Sequence, residues 1–201
     1  TFNKDLMGYL SDWVNDILDK NKIERSNNAM IQFKGSSEPN VKFMHFDVLP
    51  TRIGQITGNL AFRNHHQKIL EEIIENYYKK NNLGNNQRDI LNPEYLFDEY
   101  NRIFYGQNCS NKQEYLEAIR VRRKPILQSN SPRRIHIAQL IIEYLNYLEQ
   151  KGIESIYTRR RKLLNQLFSG KNLAIFTHIF VDEFQDCTPA DYSIFYGLLS
   201  N

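Results

Sequence analysis

The stretch that decides the fold is AIFTHIFVDEFQD, residues 174–186. Its first eight residues are rich in β-branched and aromatic side chains and do not alternate with polar ones. That pattern is typical of a strand buried on both faces of a parallel sheet. Asp182 and Glu183 follow directly and would lie where such sheets bind ligands, outside the carboxyl ends of the strands. Thr188-Pro189 then predicts a helix start. The sequence therefore predicts an α/β fold, with the partner strands supplied by earlier parts of the chain.

Two adjacent acids at the end of a rigid strand suit nucleotide hydrolysis. One carboxylate can hold Mg²⁺, directly or through water, while triphosphate oxygens supply further ligands. The other faces elsewhere and can orient or deprotonate an attacking water. For the pair of acids taken alone, the competing interpretation is a solvated acidic turn.

The string VDEFQD, Val181–Asp186, resembles the Walker B motif of UvrD/Rep-like superfamily 1 DNA helicases. The resemblance implies that Asp182 is the magnesium-linked acid and Glu183 the catalytic base. Gln185, counted with Glu183 at the catalytic site, and Asp186 would couple the nucleotide state to neighbouring motifs. ATP and Mg²⁺ are the implied cofactors.

Two earlier stretches agree with this resemblance. Thr1, Phe2, Asn3 and Lys4 resemble the start of motif Ia, which contacts single-stranded DNA in the family. Val41–Leu49 resembles the strand that follows, predicted here over residues 41–46 and closed by Pro50. Phe2 and Phe46 are candidates to stack on bases, although a strand phenylalanine also suits a core.

The middle of the chain resembles the inserted helical subdomain of some family members. The matching residues are Glu99, Gln113–Leu116, Arg120, Arg123, Leu127 and Arg134. Apolar spacing and capping signals predict helices along this region and before it. These signals lie at 5–19, 69–78, Asn92-Pro93, Ser110–Gln113, Ser131-Pro132 and 155–168, and residues 21–40 form a polar stretch.

The resemblance implies a partial RecA-like P-loop NTPase domain, with few parallel strands and a large, mostly α-helical insertion. Residues 1–60 would form the first part of the motor domain. Residues 61–168 would be the helical insertion, and residues 169–201 would return to the motor domain.

Positive charge is concentrated between Glu117 and Lys162. This stretch carries eleven Lys/Arg and four acids, whereas the whole chain has a net charge of only +3. Such a block indicates a polyanion partner or, alternatively, a solvated helical face. The candidates for contacts to DNA phosphates are Arg122, Arg123, Arg133 and Arg134. The alternative for these arginines is pairing with acids on neighbouring helices.

A phosphate-binding loop of the form G-x-x-x-x-G-K-[ST] is missing from the 201 residues. Ser169-Gly170-Lys171-Asn172 lacks the upstream glycine and the hydroxyl after lysine. In the family this loop precedes motif Ia, so the resemblance implies that it lies before Thr1. We expect that this chain alone does not hydrolyse ATP.

Composition points to the cytoplasm. No apolar run approaches the length of roughly 20 residues that spans a bilayer, and the first residues do not form a signal peptide. Cys109 and Cys187 lie far apart in the sequence, as is typical of free thiols in a reducing compartment. We therefore expect no membrane partner.

The leading hypothesis is part of an ATP-dependent DNA helicase or translocase. Its partners would be single-stranded and duplex-junction DNA and the rest of the helicase polypeptide. The same motor could serve a nuclease-linked or phage-defence system. A different hypothesis is a non-enzymatic helical module that binds nucleic acid or protein, with DEFQD as a fortuitous turn. Acids at the end of a buried strand beside Thr1–Lys4 would favour the motor, and acids on a distant exposed loop would favour the module.

Overall fold

Helices α2 (Arg63–Asn81) and α5 (Pro132–Lys151) pack against each other and contribute much of the core. Their buried apolar residues include Leu70 and Tyr144, so the predicted stripes are confirmed as core. The computed structural model describes residues 9, 44–83, 91–120, 124–171, 173 and 175–199, and the backbone alone of 23–27, 30–33 and 41–42.

Two shorter helical segments pack against α2 and α5. Helix α3 (Pro93–Glu99) packs on α2 and continues directly as a π-helix (Tyr100–Tyr105). Helix α4 (Lys112–Glu117) packs on α5. Tyr100, Tyr105 and Tyr115 are among the largest fully buried side chains, so aromatic rings fill the space between these helices.

The last two helices pack on each other. Helix α6 (Ile156–Phe168) contacts both α7 (Pro189–Leu198) and the short helix α1 (Leu49–Arg52). The side chains of Ile194 and Leu198 on α7 are buried, and so is the side chain of Leu163 on α6. This packing attaches the segment that carries the acids to the helical part of the chain.

Helix starts follow the capping signals in the sequence. The Asn92 side chain accepts a hydrogen bond from the Tyr95 N–H at 2.7 Å, and Ser131 accepts one from the Arg134 N–H at 3.3 Å. Ser155 and Thr188 cap α6 and α7. These side-chain oxygens satisfy N–H groups that the first helical turn leaves without partners.

At α4 the cap lies one residue later than predicted. Asn111, and not Ser110, accepts the Glu114 N–H at 3.0 Å. Glu114 in turn accepts the Ser110 N–H at 2.6 Å. The carboxylate at the third helical position therefore sets the start of the helix.

The described residues form two small sheets. Strands β1 (Ile23–Asn27), β2 (Met30–Phe33) and β3 (Val41–Lys42) form an antiparallel sheet in the order β1-β2-β3. Strands β4 (Asn59–Leu60) and β5 (Ile153–Glu154) pair in parallel. The fold is therefore mostly helical with a small parallel sheet, which agrees with the α/β class in general.

The prediction of a buried strand over residues 174–181 is wrong for the described residues 175–181. Phe176 makes one isolated parallel bridge, to Leu199. Ile175 is 53% exposed and Phe180 is 92% exposed. A strand needs hydrogen-bonding neighbours and a covering layer to bury both faces. Besides the bridge to Leu199, the Ile175 and Phe176 N–H groups of this segment both donate to the Leu198 carbonyl at 3.1 Å.

The predicted strand over residues 41–46 is shorter than expected. Strand β3 ends at Lys42, and Phe46–Val48 form a 3₁₀ turn. The His45 Nδ1 accepts the Asp47 N–H at 3.2 Å. Such local bonds compete with a strand ladder, and this one starts the turn.

Three further predictions concern residues outside the described part of the chain. These are the helix over 5–19, of which only Tyr9 is described and is helical, the motif Ia residues Thr1–Lys4, and the arginines Arg122 and Arg123. Within the described part, no helix combines the length and the apolar character that crossing a bilayer requires.

Candidate functional site

The candidate acids lie in an exposed turn. Asp182, Glu183, Gln185 and Asp186 are all exposed. A 3₁₀ turn, Phe184–Asp186, follows Glu183 and is closed by a 2.9 Å bond from the Asp186 N–H to the Glu183 carbonyl. The carboxylates can therefore reach solvent and any ligand that comes to this surface.

Glu183 has an unusual backbone. Its φ of 52° lies in the left-handed region, which costs a residue with a β-carbon on the order of 1 kcal/mol. The Gln185 amide donates a hydrogen bond to the Glu183 carboxylate. The two residues predicted at the catalytic site therefore contact each other, and Gln185 orients one carboxylate oxygen of Glu183.

Helix α7 begins immediately after this turn with a reciprocal cap. The Thr188 hydroxyl accepts the Asp191 N–H at 3.3 Å, and Asp191 Oδ2 accepts the Thr188 N–H at 2.9 Å. The second oxygen of Asp191, Oδ1, accepts the Tyr105 hydroxyl at 2.6 Å. Burial and the adjacent Asp191 charge raise the pKa of Tyr105, so the phenol stays protonated and donates.

The end of the π-helix approaches the first turn of α7 closely. The Ala190 N–H donates to the Gly106 carbonyl at 3.1 Å. A β-carbon at Gly106 would lie 3.0 Å from Thr188 Cγ2 and 2.2 Å from the Arg102 carbonyl oxygen. Only glycine permits this approach, which brings Tyr105 to Asp191.

Arg160 of α6 joins this assembly. One of its terminal nitrogens donates to Asp191 Oδ1 at 3.2 Å, and the other donates to Asp47. Its guanidinium carbon lies 3.8 Å from the centre of the Phe46 ring. A single, mostly covered cation therefore contacts α7, the 3₁₀ turn at Phe46–Val48 and an aromatic face.

The proposed stacking of Phe46 on a DNA base is wrong in this structure. Phe46 is 4% exposed. Its ring packs against that of Phe195 at 4.7 Å, beneath Arg160. The alternative interpretation, a core phenylalanine, is the one that fits.

Residues of the helical-insertion pattern form a second buried network. Glu99 is fully buried and accepts Arg120 Nε at 2.6 Å, Arg120 Nη2 at 3.0 Å and the Tyr115 hydroxyl at 2.8 Å. Arg134 donates to the carbonyls of Tyr115 and Ala118, both at 2.6 Å. Four matching residues that are distant in sequence thus meet in one place.

Arg134 does not fit its predicted role as a DNA contact. It is 3% exposed, and its guanidinium lies 5.3 Å from the Tyr115 ring centre. Its bonds to two backbone carbonyls hold α4 against α5 instead. Arg133, its neighbour on the same helix, is exposed.

The basic run of α6 also points inward. Arg159 donates to Glu154 at 2.7 Å and to the Gly58 carbonyl at 2.7 Å, beside the β4–β5 pair. Arg161 donates to the Cys109 carbonyl and lies 5.4 Å from the Phe104 ring centre. Both arginines thus bind groups within the protein, so the positive block is less exposed than its sequence indicates.

Sequence reasoning missed the network around Arg160. The spacing Thr188-x-x-Asp191 carries a capping signal, and the sequence does place Asp191 near the start of α7. Nothing in the sequence pairs Asp191 with Arg160 or Tyr105, because those contacts depend on how α6 and the π-helix pack.

The described residues do not include a group of three or more His, Cys, Asp or Glu side chains placed to hold a metal ion. Neither a family model, nor a curated protein, nor a solved structure matches the chain.

Proposed function

We propose that this chain is part of the motor of a UvrD/Rep-like DNA helicase and contributes the acids of its ATP hydrolysis site. The observation that carries the proposal is the parallel bridge between Phe176 and Leu199. The acids and α7 lie between these two residues in the sequence. A βαβ unit has the same order: an extended segment, a turn, a helix, and a second segment that pairs in parallel with the first.

The exposed apolar side chains of the preceding segment are consistent with this order. Ile175 and Phe180 belong to a run with strong β preference, yet they are open to solvent. Additional parallel strands and a covering helix would bury such a run, as the RecA-like hypothesis requires.

The two acids suit magnesium bound to a nucleotide. Mg²⁺ usually retains waters and takes one or two carboxylates together with phosphate oxygens, so it does not need a cage of protein ligands. In the proposed site Asp182 holds the ion, which when bound neutralises charge on the phosphates. Oε2 of Glu183 is occupied by the Gln185 amide, which leaves Oε1 to accept a proton from the attacking water.

A DNA partner is part of the same proposal. Arg133 is exposed on α5 and suits a contact to a backbone phosphate. Thr1–Lys4, Arg122 and Arg123 would extend that contact. Single strands and duplex junctions are the expected ligands.

The test is ATP turnover by the protein expressed from its complete gene, with and without single-stranded DNA. Glu183→Gln should lower the turnover number by about a hundredfold or more, because a general base contributes at least that factor. Binding of the magnesium nucleotide should persist. Glu72→Gln, which alters an exposed acid on α2, serves as the matched control and should turn over like the wild type.

The DNA contact is tested separately, by fluorescence anisotropy of a labelled oligonucleotide over a salt series. Arg133→Met should reduce the slope of log affinity against log salt by about one. Lys68→Met, an exposed cation on α2, should leave that slope unchanged. A flat response of the wild type to salt would contradict the phosphate contact.

A second candidate function is a non-enzymatic helical module that binds nucleic acid or protein. The exposed position of Asp182 and Glu183 favours it, since the acids do not end a buried strand in this structure. DNA binding without ATP turnover, in both the wild type and Glu183→Gln, would support the module over the motor.

A further inference from the structure

We propose that Arg160 is a positioning residue that fixes the acid-bearing turn, through Asp191, to the helical region and to the turn at Asp47. The effect expected on catalysis rests on the proposed function. The effect expected on the turn itself does not.

The first step is the link from Arg160 to α7. The Arg160 side chain is 13% exposed and that of Asp191 is 4% exposed, so the 3.2 Å contact between them is shielded from solvent. Asp191 already caps its own helix and accepts the Tyr105 hydroxyl. Its carboxylate therefore fixes the first turn of α7 to two separate elements, the π-helix and α6.

The second step is the link from Arg160 to the turn at Phe46–Val48. Arg160 donates to Asp47 and its guanidinium carbon lies 3.8 Å from the centre of the Phe46 ring, which itself packs on Phe195 of α7. Arg160 thus reaches α7 by two routes, one through a carboxylate and one through an aromatic pair. Although burial opposes the charge, Asp191 and Asp47 together raise the pKa of Arg160, so the guanidinium remains a cation.

The third step connects α7 to the acids. Only Cys187 separates Asp186 from the helix cap Thr188. The turn is closed by bonds from the Asp186 N–H and the Cys187 N–H to the carbonyls of Glu183 and Phe184, at 2.9 and 3.0 Å. Since the turn is short and closed, the orientation of the first turn of α7 sets the direction of Glu183.

The side chain of Arg160 is specific for this task. A lysine in its place offers a point charge and cannot hold two carboxylates while it covers a ring. Arg161, the next residue on α6, contacts the Cys109 carbonyl, Ser110 and the Phe104 ring. It has the same charge and length but different partners, so it provides the matched control.

The experiment is hydrogen exchange of the peptide that spans residues 182–191, followed by mass spectrometry on the 201-residue chain. In Arg160→Met this peptide should exchange about tenfold faster than in the wild type, because local opening becomes easier. Peptides of α2 should keep their wild-type rates. Arg161→Met should leave the 182–191 peptide unchanged.

Tyr105→Phe keeps the inference testable if Arg160→Met fails to fold. It removes one hydrogen bond to the same Asp191 oxygen and should accelerate exchange of the peptide by about threefold. Wild-type exchange in a folded Arg160→Met, or in Tyr105→Phe if Arg160→Met does not fold, would overturn the inference. Equal acceleration by Arg161→Met would overturn it as well.

Turnover by the protein from the complete gene provides the readout that simple destabilisation would not produce. Arg160→Met should lower kcat while KM for ATP stays within about twofold, because the acids are misdirected but nucleotide binding is intact. An unchanged kcat in an active enzyme would contradict positioning. If the wild type does not hydrolyse ATP, the proposed function fails, and the exchange rates still decide whether Arg160 holds the turn.

Discussion

The helical region between α2 and α6 and the acid segment from Ile175 to Thr188 differ in what fixes them. In the helical region, buried charges are paired and the large rings are covered, as at Glu99, Arg120 and Tyr144. In the acid segment, the backbone is irregular and Phe180 is almost fully exposed. The segment with the most specific motif is thus the one with the fewest buried contacts. The residues proposed for chemistry are thus not the ones that form the core.

Among the tests of this difference, we expect the largest change in the free energy of unfolding at Glu99. Glu99→Ala leaves Arg120 buried without its partner, which should lower the free energy of unfolding by about 3–5 kcal/mol. Urea denaturation of the 201-residue chain measures this difference. Glu183→Gln should change the same quantity by less than about 0.5 kcal/mol, because its carboxylate is exposed. Equal losses in both variants would break the comparison.

The next effect separates two adjacent arginines. Arg134→Met removes two charge-assisted bonds to buried carbonyls and should lower the free energy of unfolding by about 2 kcal/mol. Arg133→Met should destabilise the chain less, since that side chain is exposed. Thermal unfolding by circular dichroism compares the two variants. A larger loss for Arg133→Met would contradict the inward role of Arg134.

A smaller effect is expected at the junction of the two regions. Thr188→Ala removes the hydroxyl that caps α7 and should lower the free energy of unfolding by about 1 kcal/mol. Urea denaturation is the measurement, and Ser129→Ala in an exposed loop is the control. No difference between these variants would mean that Asp191 alone holds the helix start.

The last effect is a pH dependence within the helical region. Burial lowers the pKa of His66 below its ordinary value of 6.5, and its Nδ1 lies 2.9 Å from the Tyr144 hydroxyl. Since the folded chain binds this proton less readily than the unfolded chain, stability should be complete above pH 6.5 and fall as the pH is lowered.

Urea midpoints between pH 7.5 and 5.5 test this dependence, a window set about one unit either side of the ordinary histidine pKa. The midpoint of His66→Gln should change less across the window than that of the wild type. His178→Gln, at an exposed position, should follow the wild type. A midpoint that rises as the pH falls would contradict the assignment.

Local signals in the sequence predicted the helices well. Apolar spacing, the caps at Asn92, Ser131 and Thr188 and the helix over 155–168 correspond to helices in the structure. Each of these signals acts within one or two helical turns, so it does not depend on distant parts of the chain.

Predictions that needed a distant partner did less well. The predicted strand at 174–181 requires neighbouring strands. Within the described residues it has no neighbouring strand, and its Phe180 is exposed to solvent. The directions in which the side chains of Arg159, Arg160 and Arg161 point depend on the elements that pack against α6. The pairing of β1 with β2 was missed within a stretch described only as polar, although Asn27 and Asn28 carry a turn signal. The candidate acids were proposed from sequence, whereas the network of Arg160, Asp191 and Tyr105 beside them was not.

The parallel pairing of β4 with β5 has a topological consequence for the chain between them. Leu60 and Glu154 are register partners, and the Ala61 N–H donates to the Glu154 carbonyl at 2.8 Å. The chain therefore enters α2 and leaves α5 at neighbouring positions, where β4 and β5 pair. Because the two strands are hydrogen-bonded there, the start of α2 and the end of α5 stay side by side, and a change in the length of α2 must be matched in α5.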